Sequence, residues 1–223
     1  MCVGWSWYLS VDFQLFIVAP FFIYFFVKSP KFGWVMSILA MLGHIIATIV
    51  ITAVYNVPST SGKSSNYEQL LNETGYEPKN FAEYNSLYYV KPYTRMGPYF
   101  VGIILAHVLV AHEKSVRKVL RNKADNIVGW LLCFALFLTL MYSQYGLWNG
   151  HRLDPEWVDC LYNSLARSVW GLAIGWVLIT CAVGSAGIIG DALHWPGWSI
   201  PARLSYAAYL IHILVLVFFL STS

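Results

Sequence analysis

Two stretches of the chain, Phe13–Val27 and Ile127–Leu140, contain no aspartate, glutamate, lysine, arginine or histidine. Neither alternates apolar with polar side chains, which is the period a membrane-barrel strand requires. In hydrocarbon, backbone amides are satisfied either within a helix or across a closed barrel, so without that alternation the helix remains. A helix crossing a hydrocarbon layer of about 30 Å uses about 20 mostly apolar residues, and both runs reach that length with their flanking turns. Composition points the same way: of 223 residues 58% are hydrophobic and 11% charged, with a mean hydropathy of +0.57. A water-soluble domain carries about a quarter charged residues to solvate its surface. The expected fold class is therefore all-α integral membrane, a polytopic bundle of about six transmembrane helices. The net charge of +3 gives no reason to expect a nucleic-acid partner.

Gly/Pro and charge punctuation divides the apolar stretches into helices A (roughly 9–27), B (32–54), C (97–111), D (127–147), E (163–183) and F (203–220). Helix C is the shortest and contains His107. The A–B and C–D connections carry Lys28, Lys31, Lys114, Arg117, Lys118, Arg121 and Lys123, whereas D–E has only Arg152. Positive charge in short loops marks the cytosolic side, which puts the B–C loop, about 55–96, on the exoplasmic side. That loop holds the sequon Asn72-Glu73-Thr74, which agrees with this orientation and makes Asn72 a candidate glycosylation site. At roughly forty residues the loop is longer than an ordinary connection, and is either functional or partly disordered.

Cys2, Cys133, Cys160 and Cys181 show no CxxC or other zinc spacing, and no metal site is expected. Cys2 and Cys160 both fall on the exoplasmic side, where a Cys2–Cys160 disulfide can form. Cys2 can equally pair with sequence upstream. HExxH, GxSxG, P-loop and GxGxxG patterns are absent, so the common hydrolase and nucleotide-binding chemistries have no sequence support.

Polar and ionisable groups inside spans are costly and point to function. Asp12 sits in the first turn of helix A behind Ser10, where capping and a cavity-facing role are both open. In helix F, spacings of three and four put Ser205, Tyr209 and His212 on one face with Tyr206 beside it. At about 1.5 Å per residue His212 lies roughly 13 Å beyond Arg203, deep enough to need a hydrogen-bond partner. His44 and His107 are expected to be packing or hydrogen-bonding residues. Arg95 and Arg167, near exoplasmic helix ends, are expected to snorkel.

Several of these segments are similar to one family. Trp7-Tyr-Leu-Ser10-Val-Asp12-Phe-Gln14-Leu-Phe-Ile-Val-Ala-Pro20 resembles WSLSVEEQFYLLWP of the acyltransferase 3 family, with Asp12 at the glutamate position. Ser205-Tyr206-Ala-Ala-Tyr209-Leu-Ile-His212 resembles its late SYxxYLxH segment, and Arg95 to Ala106 resembles its R-x-x-x-(aromatic)-x-x-G-x-x-x-A helix. Cys2–Leu9, Lys91–Tyr99 and Arg167–Trp176 look closest to the animal subgroup, the nose resistant to fluoxetine proteins. The likeness covers essentially all of residues 1–223.

The resemblance implies transfer of an acyl group from a donor such as acyl-CoA to a hydroxyl of a lipid or carbohydrate acceptor, with no tightly bound cofactor. It implies supporting roles for Asp12, Arg203, Tyr209 and His212, and a substrate cavity that includes Trp7, Gln14, Arg95 and Tyr206. It places the best-attested catalytic histidine in helices preceding helix A, for which this sequence has no counterpart. The expectation is accordingly a C-terminal portion, residues 1–223, working with upstream helices of the same protein. The lipid bilayer is its medium, in the plasma membrane or an endomembrane of the secretory pathway. The competing reading is a multi-pass protein for lipid or drug transport without catalysis.

Overall fold

The computed structural model describes residues 7–60, 66–149 and 154–222, and among these there are helices, turns and loops but no strand. Helices α1 (Trp7–Lys28) and α2 (Pro30–Tyr55) form a hairpin hinged at Ser29, with Pro30 pre-set for the first turn of α2. Asn56 ends α2 in the left-handed conformation, at φ 46°. The long loop then folds into α3 (Tyr67–Thr74), α4 (Phe81–Glu83), a π-turn at Tyr84–Tyr89 and a 3₁₀ turn at Pro92–Thr94. After it come α5 (Met96–Ala111), α6 (Glu113–Arg121), α7 (Lys123–Ser143), α8 (Tyr145–Trp148), α9 (Glu156–Val183), α10 (Ile188–Leu193) and α11 (Ser199–Thr222).

Four helical stretches, α1, α2, Lys123–Leu147 and α9, are long and apolar enough to cross a membrane. The α5–α6 pair, bent by 91°, and the two parts of the last helix, bent by 46°, bring the number to as many as six where each bent pair counts as one span. The six predicted spans A–F thus fall on α1, α2, α5, α7, α9 and α11. At 16 residues, α5 is about 24 Å long, shorter than the hydrocarbon layer. Helix α9 begins at Glu156, two turns before the expected start of helix E.

The packing is that of a membrane bundle. Large apolar side chains such as Phe13, Phe16 and Ile17 point outward, 64%, 66% and 60% exposed, while His44, Thr48, Thr52, Asn163 and Ser164 are fully enclosed. Between helices in lipid there is little hydrophobic drive, so close approach of small residues and hydrogen bonding hold them together. Helix α9 is the centre, packed against α2, α5 and α7. Its facing stripe is Ser164, Ser168, Gly171 and Gly175. A Cβ on Gly171 would stand 3.1 Å from the Cα of Pro98, so α5 lies almost backbone to backbone on α9.

The long loop is a docked cap. Lys79 Nζ lies 2.8 Å from Asp159 Oδ2 on α9, with both side chains nearly inaccessible. Asp159 Oδ1 accepts from the Ser59 amide at 2.9 Å, and Lys79 also donates to Asn56 Oδ1 at 3.2 Å. Asn163 Nδ2 donates to Thr52 Oγ1 and to the Pro58 carbonyl, both at 3.3 Å, and the Asn163 carbonyl accepts from the Tyr88 hydroxyl at 3.1 Å. Asn72 sits exposed on α3. Cys160 is a free thiol buried against the Ile49 carbonyl, and Cys2, its expected partner, lies outside the described residues.

Candidate substrate cavity

A cavity of about 790 Å³ lies at the end of the bundle opposite the basic connections, below the π-turn. Tyr8, Val11, Asp12 and Leu15 form its α1 wall, at spacings of three and four that place them on one helical face. The loop supplies Tyr84, Tyr88 and Tyr89; the start of α5 adds Pro98 and Tyr99, with Arg95 just before it. Leu140 and Met141 come from α7, and Arg167 and Trp170 from α9. The docked loop therefore completes the site, because its anchors to α9 set the π-turn over the helix ends.

Two guanidinium groups dominate the electrostatics. Arg167 donates from Nη1 to the Thr94 carbonyl at 2.9 Å and lies 4.1 Å above the Tyr88 ring. Arg95 donates from Nε to the Tyr89 carbonyl at 2.9 Å, between the rings of Trp7 at 4.7 Å and Tyr89 at 4.5 Å. Such stacking holds the cations without neutralising them. Among the described residues the ion pairs are Lys79–Asp159 and Arg117–Glu113, and neither cavity arginine has a carboxylate partner. Arg95 Nη2 is buried without a hydrogen-bond acceptor. The Tyr88 hydroxyl is pushed up to about 12, first by burial, with the Arg167 charge opposing. Burial likewise raises Tyr84. Both phenols stay neutral donors at ordinary pH.

The expected site residues separate into two groups. Asp12 and Arg95 line the cavity, and Trp7 stacks on Arg95 at its edge. Gln14 turns away, exposed, and donates to Ser10 Oγ at 3.3 Å. Arg203, Tyr206 and His212 are not among the residues that line the chamber with Asp12, so Tyr206, expected in the cavity, lies outside it. They lie exposed on α11, which packs mainly on the preceding Pro196–Trp198 turn and touches α1 through Tyr209, 6.4 Å from Tyr8 between ring centres. His212 Nδ1 is within hydrogen-bond reach of the Tyr209 carbonyl, so the partner its depth requires is a backbone acceptor of its own helix.

Arg167, Trp170 and the tyrosines of the π-turn enter the site without having been singled out for it. A helix E starting at 163 puts Arg167 at a helix end, where snorkelling is expected; with α9 starting at Glu156 it lies about 17 Å along the helix and lines the cavity. His44 and His107 are packing residues as expected. His44 Nδ1 donates to the Tyr93 carbonyl at 2.7 Å, and His107 stacks on Phe26 at 4.2 Å. His44 Nε2 and Ser168 Oγ are buried without partners around Gly97, where a Cβ would come 2.6 Å from the imidazole nitrogen.

Over 220 residues the chain is 27% identical to nose resistant to fluoxetine protein 6 of Caenorhabditis elegans, covering 96% of this chain and 26% of that protein. Over 230 residues it is 27% identical to regulator of hypoxia-inducible factor 1 of the same organism, covering 98% of this chain and 42% of that one. The chain thus spans less than half the length of either relative. No solved structure matches. The acyltransferase-domain profile matches residues 1–223, and the chain belongs to the acyltransferase 3 family of membrane proteins.

Proposed function

We propose that this protein transfers an acyl group, within the membrane, from a donor such as acyl-CoA to the hydroxyl of a lipid or carbohydrate acceptor, and that the cavity receives the acceptor. The donor's C–S bond breaks, an ester C–O bond forms, the hydroxyl proton passes to a base, and the thiol leaves protonated. The observation that carries the reading is that Asp12 faces the same 790 Å³ space as Arg95 and Arg167. A carboxylate there orients or receives the proton of the acceptor hydroxyl, while the fixed guanidinium groups beside it hold the acceptor in register. Tyr209, against Tyr8, is the α11 residue placed to assist. Arg203 and His212 have no part in the cavity as it stands, and a donor-binding role for them requires α11 to approach α1. Exoplasmic exposure of the cavity follows from the charge asymmetry of the loops and belongs to the same proposal.

The test is acyl transfer from labelled acyl-CoA in membranes of cells producing the full-length protein, with Asp12→Asn beside the parent; residues 1–223 alone are expected to give no transfer. Asp12 is exposed to the cavity, so the substitution leaves folding intact; transfer is expected to fall at least about a hundredfold. Full transfer by Asp12→Asn, at equal abundance, removes the carboxylate from the mechanism. No transfer by the parent with any donor removes the function.

A further inference from the structure

Among the described residues the two arginines that line the cavity have no acidic partner, and their surroundings suggest what is missing. Each guanidinium is immobilised by one backbone carbonyl and by aromatic faces, which leaves its other donors available. A fixed pair of unneutralised forks in an aromatic setting matches a planar or tetrahedral oxyanion far better than a neutral sugar. Asp12, the carboxylate on the cavity wall, is not within ion-pair distance of either arginine. It therefore leaves their charge for a ligand.

The shape of the space identifies the rest of the ligand. Helices α1 and α7 form facing walls without being principal packing partners: α1 packs on α2, α5 and the Pro92–Thr94 turn, and α7 on α6, α8 and α9. Val11 and Leu15 of α1 and Leu140 and Met141 of α7 make these walls apolar, whereas the arginines lie with the loop and helix-start residues, so the cavity has a charged part and an apolar part.

We infer that the cavity takes an anionic amphiphile, with a phosphate or carboxylate head held by Arg95 and Arg167 and an apolar tail along Val11, Leu15, Leu140 and Met141. This rests on the cavity being the acceptor chamber, and narrows the acceptor to an acidic lipid.

Binding of labelled dodecyl phosphate to the purified protein in a neutral maltoside detergent, below the ligand's own micelle-forming concentration, tests it without turnover. Saturable binding at one site is expected, with dodecanol at least about tenfold weaker and dodecanoate able to compete. Arg95→Gln is expected to weaken binding about tenfold, and Arg95→Lys to restore part of it; the melting temperature of each unliganded variant shows that it is folded. Equal affinity for dodecanol, or undiminished affinity in a folded Arg95→Gln, overturns the oxyanion site. Competition by inorganic phosphate as strong as by dodecanoate overturns the amphiphile and leaves a free anion. Anion binding without acyl transfer sinks the acyltransferase reading alone, whereas transfer to a neutral acceptor without anion binding sinks only this inference.

Discussion

Tyr88 shows how a single residue ties the loop to the helices. Its hydroxyl donates to the Asn163 carbonyl, its carbonyl accepts from Thr94 Oγ1, and its ring carries the Arg167 guanidinium. Burial raises its ionisation from 10.0 in the free residue to about 12 in the fold. A raised acid holds its proton more tightly when folded, so its contribution to stability is complete below pH 10 and is lost as pH rises through 12. Thermal unfolding of the parent should therefore weaken steeply across that window. Tyr88→Phe, with no proton to lose, should show a shallower decline from a starting stability lower by about 1 kcal/mol for the lost hydrogen bond. Parallel pH profiles would mean that the Tyr88 hydroxyl is not sealed as described.

At the scale of elements, the loop between α2 and α5 is held by a buried charge pair as well as by the packing of Val57, Tyr84 and Tyr88 against Ile51. Lys79 and Asp159 are 2.8 Å apart and nearly inaccessible, and the same carboxylate caps the Ser59 amide. Removing one partner strands the other charge, which typically costs about 3–5 kcal/mol. Asp159→Asn is expected to free the loop: protease should cut within residues 56–95 at concentrations that spare the parent, while the helices stay intact. The double change Asp159→Asn with Lys79→Met removes the stranded cation and should recover much of the protection. Equal resistance of Asp159→Asn and the parent would show that other contacts hold the cap. The loop's length and polarity were legible in the sequence, but its partner 80 residues further on was not. The Ser164, Ser168, Gly171, Gly175 stripe, by contrast, is a local pattern whose spacing already specifies close helix packing.

For the whole molecule, orientation joins the proposals together. The basic connections lie at one end and the cavity and Asn72 at the other. If the basic end is cytosolic, Asn72, exposed on α3, is open to the glycosylation machinery. Protein made in mammalian cells should lose mass on treatment with an N-glycosidase, and Asn72→Gln should abolish that shift. Loss of the shift while reagents added outside reach Lys114–Lys123 would invert the topology and place the cavity on the cytosolic face.

The linear pattern alone determined the medium, the helical class, the positions of the six spans and the family likeness, because each depends on segments of about 20 residues or fewer. Asp12 and Arg95 were also legible, since short motifs contain them. The tertiary structure decided which polar groups meet. Arg167 entered the site because α9 starts two turns earlier than its apolar run suggests, and the tyrosines entered because a distant ion pair docks their loop. Arg203 and His212 stayed out because a polar face on one helix does not specify which neighbour, if any, lies against it. Periodicity fixes the face of a helix, whereas packing of small residues between distant helices fixes what that face meets.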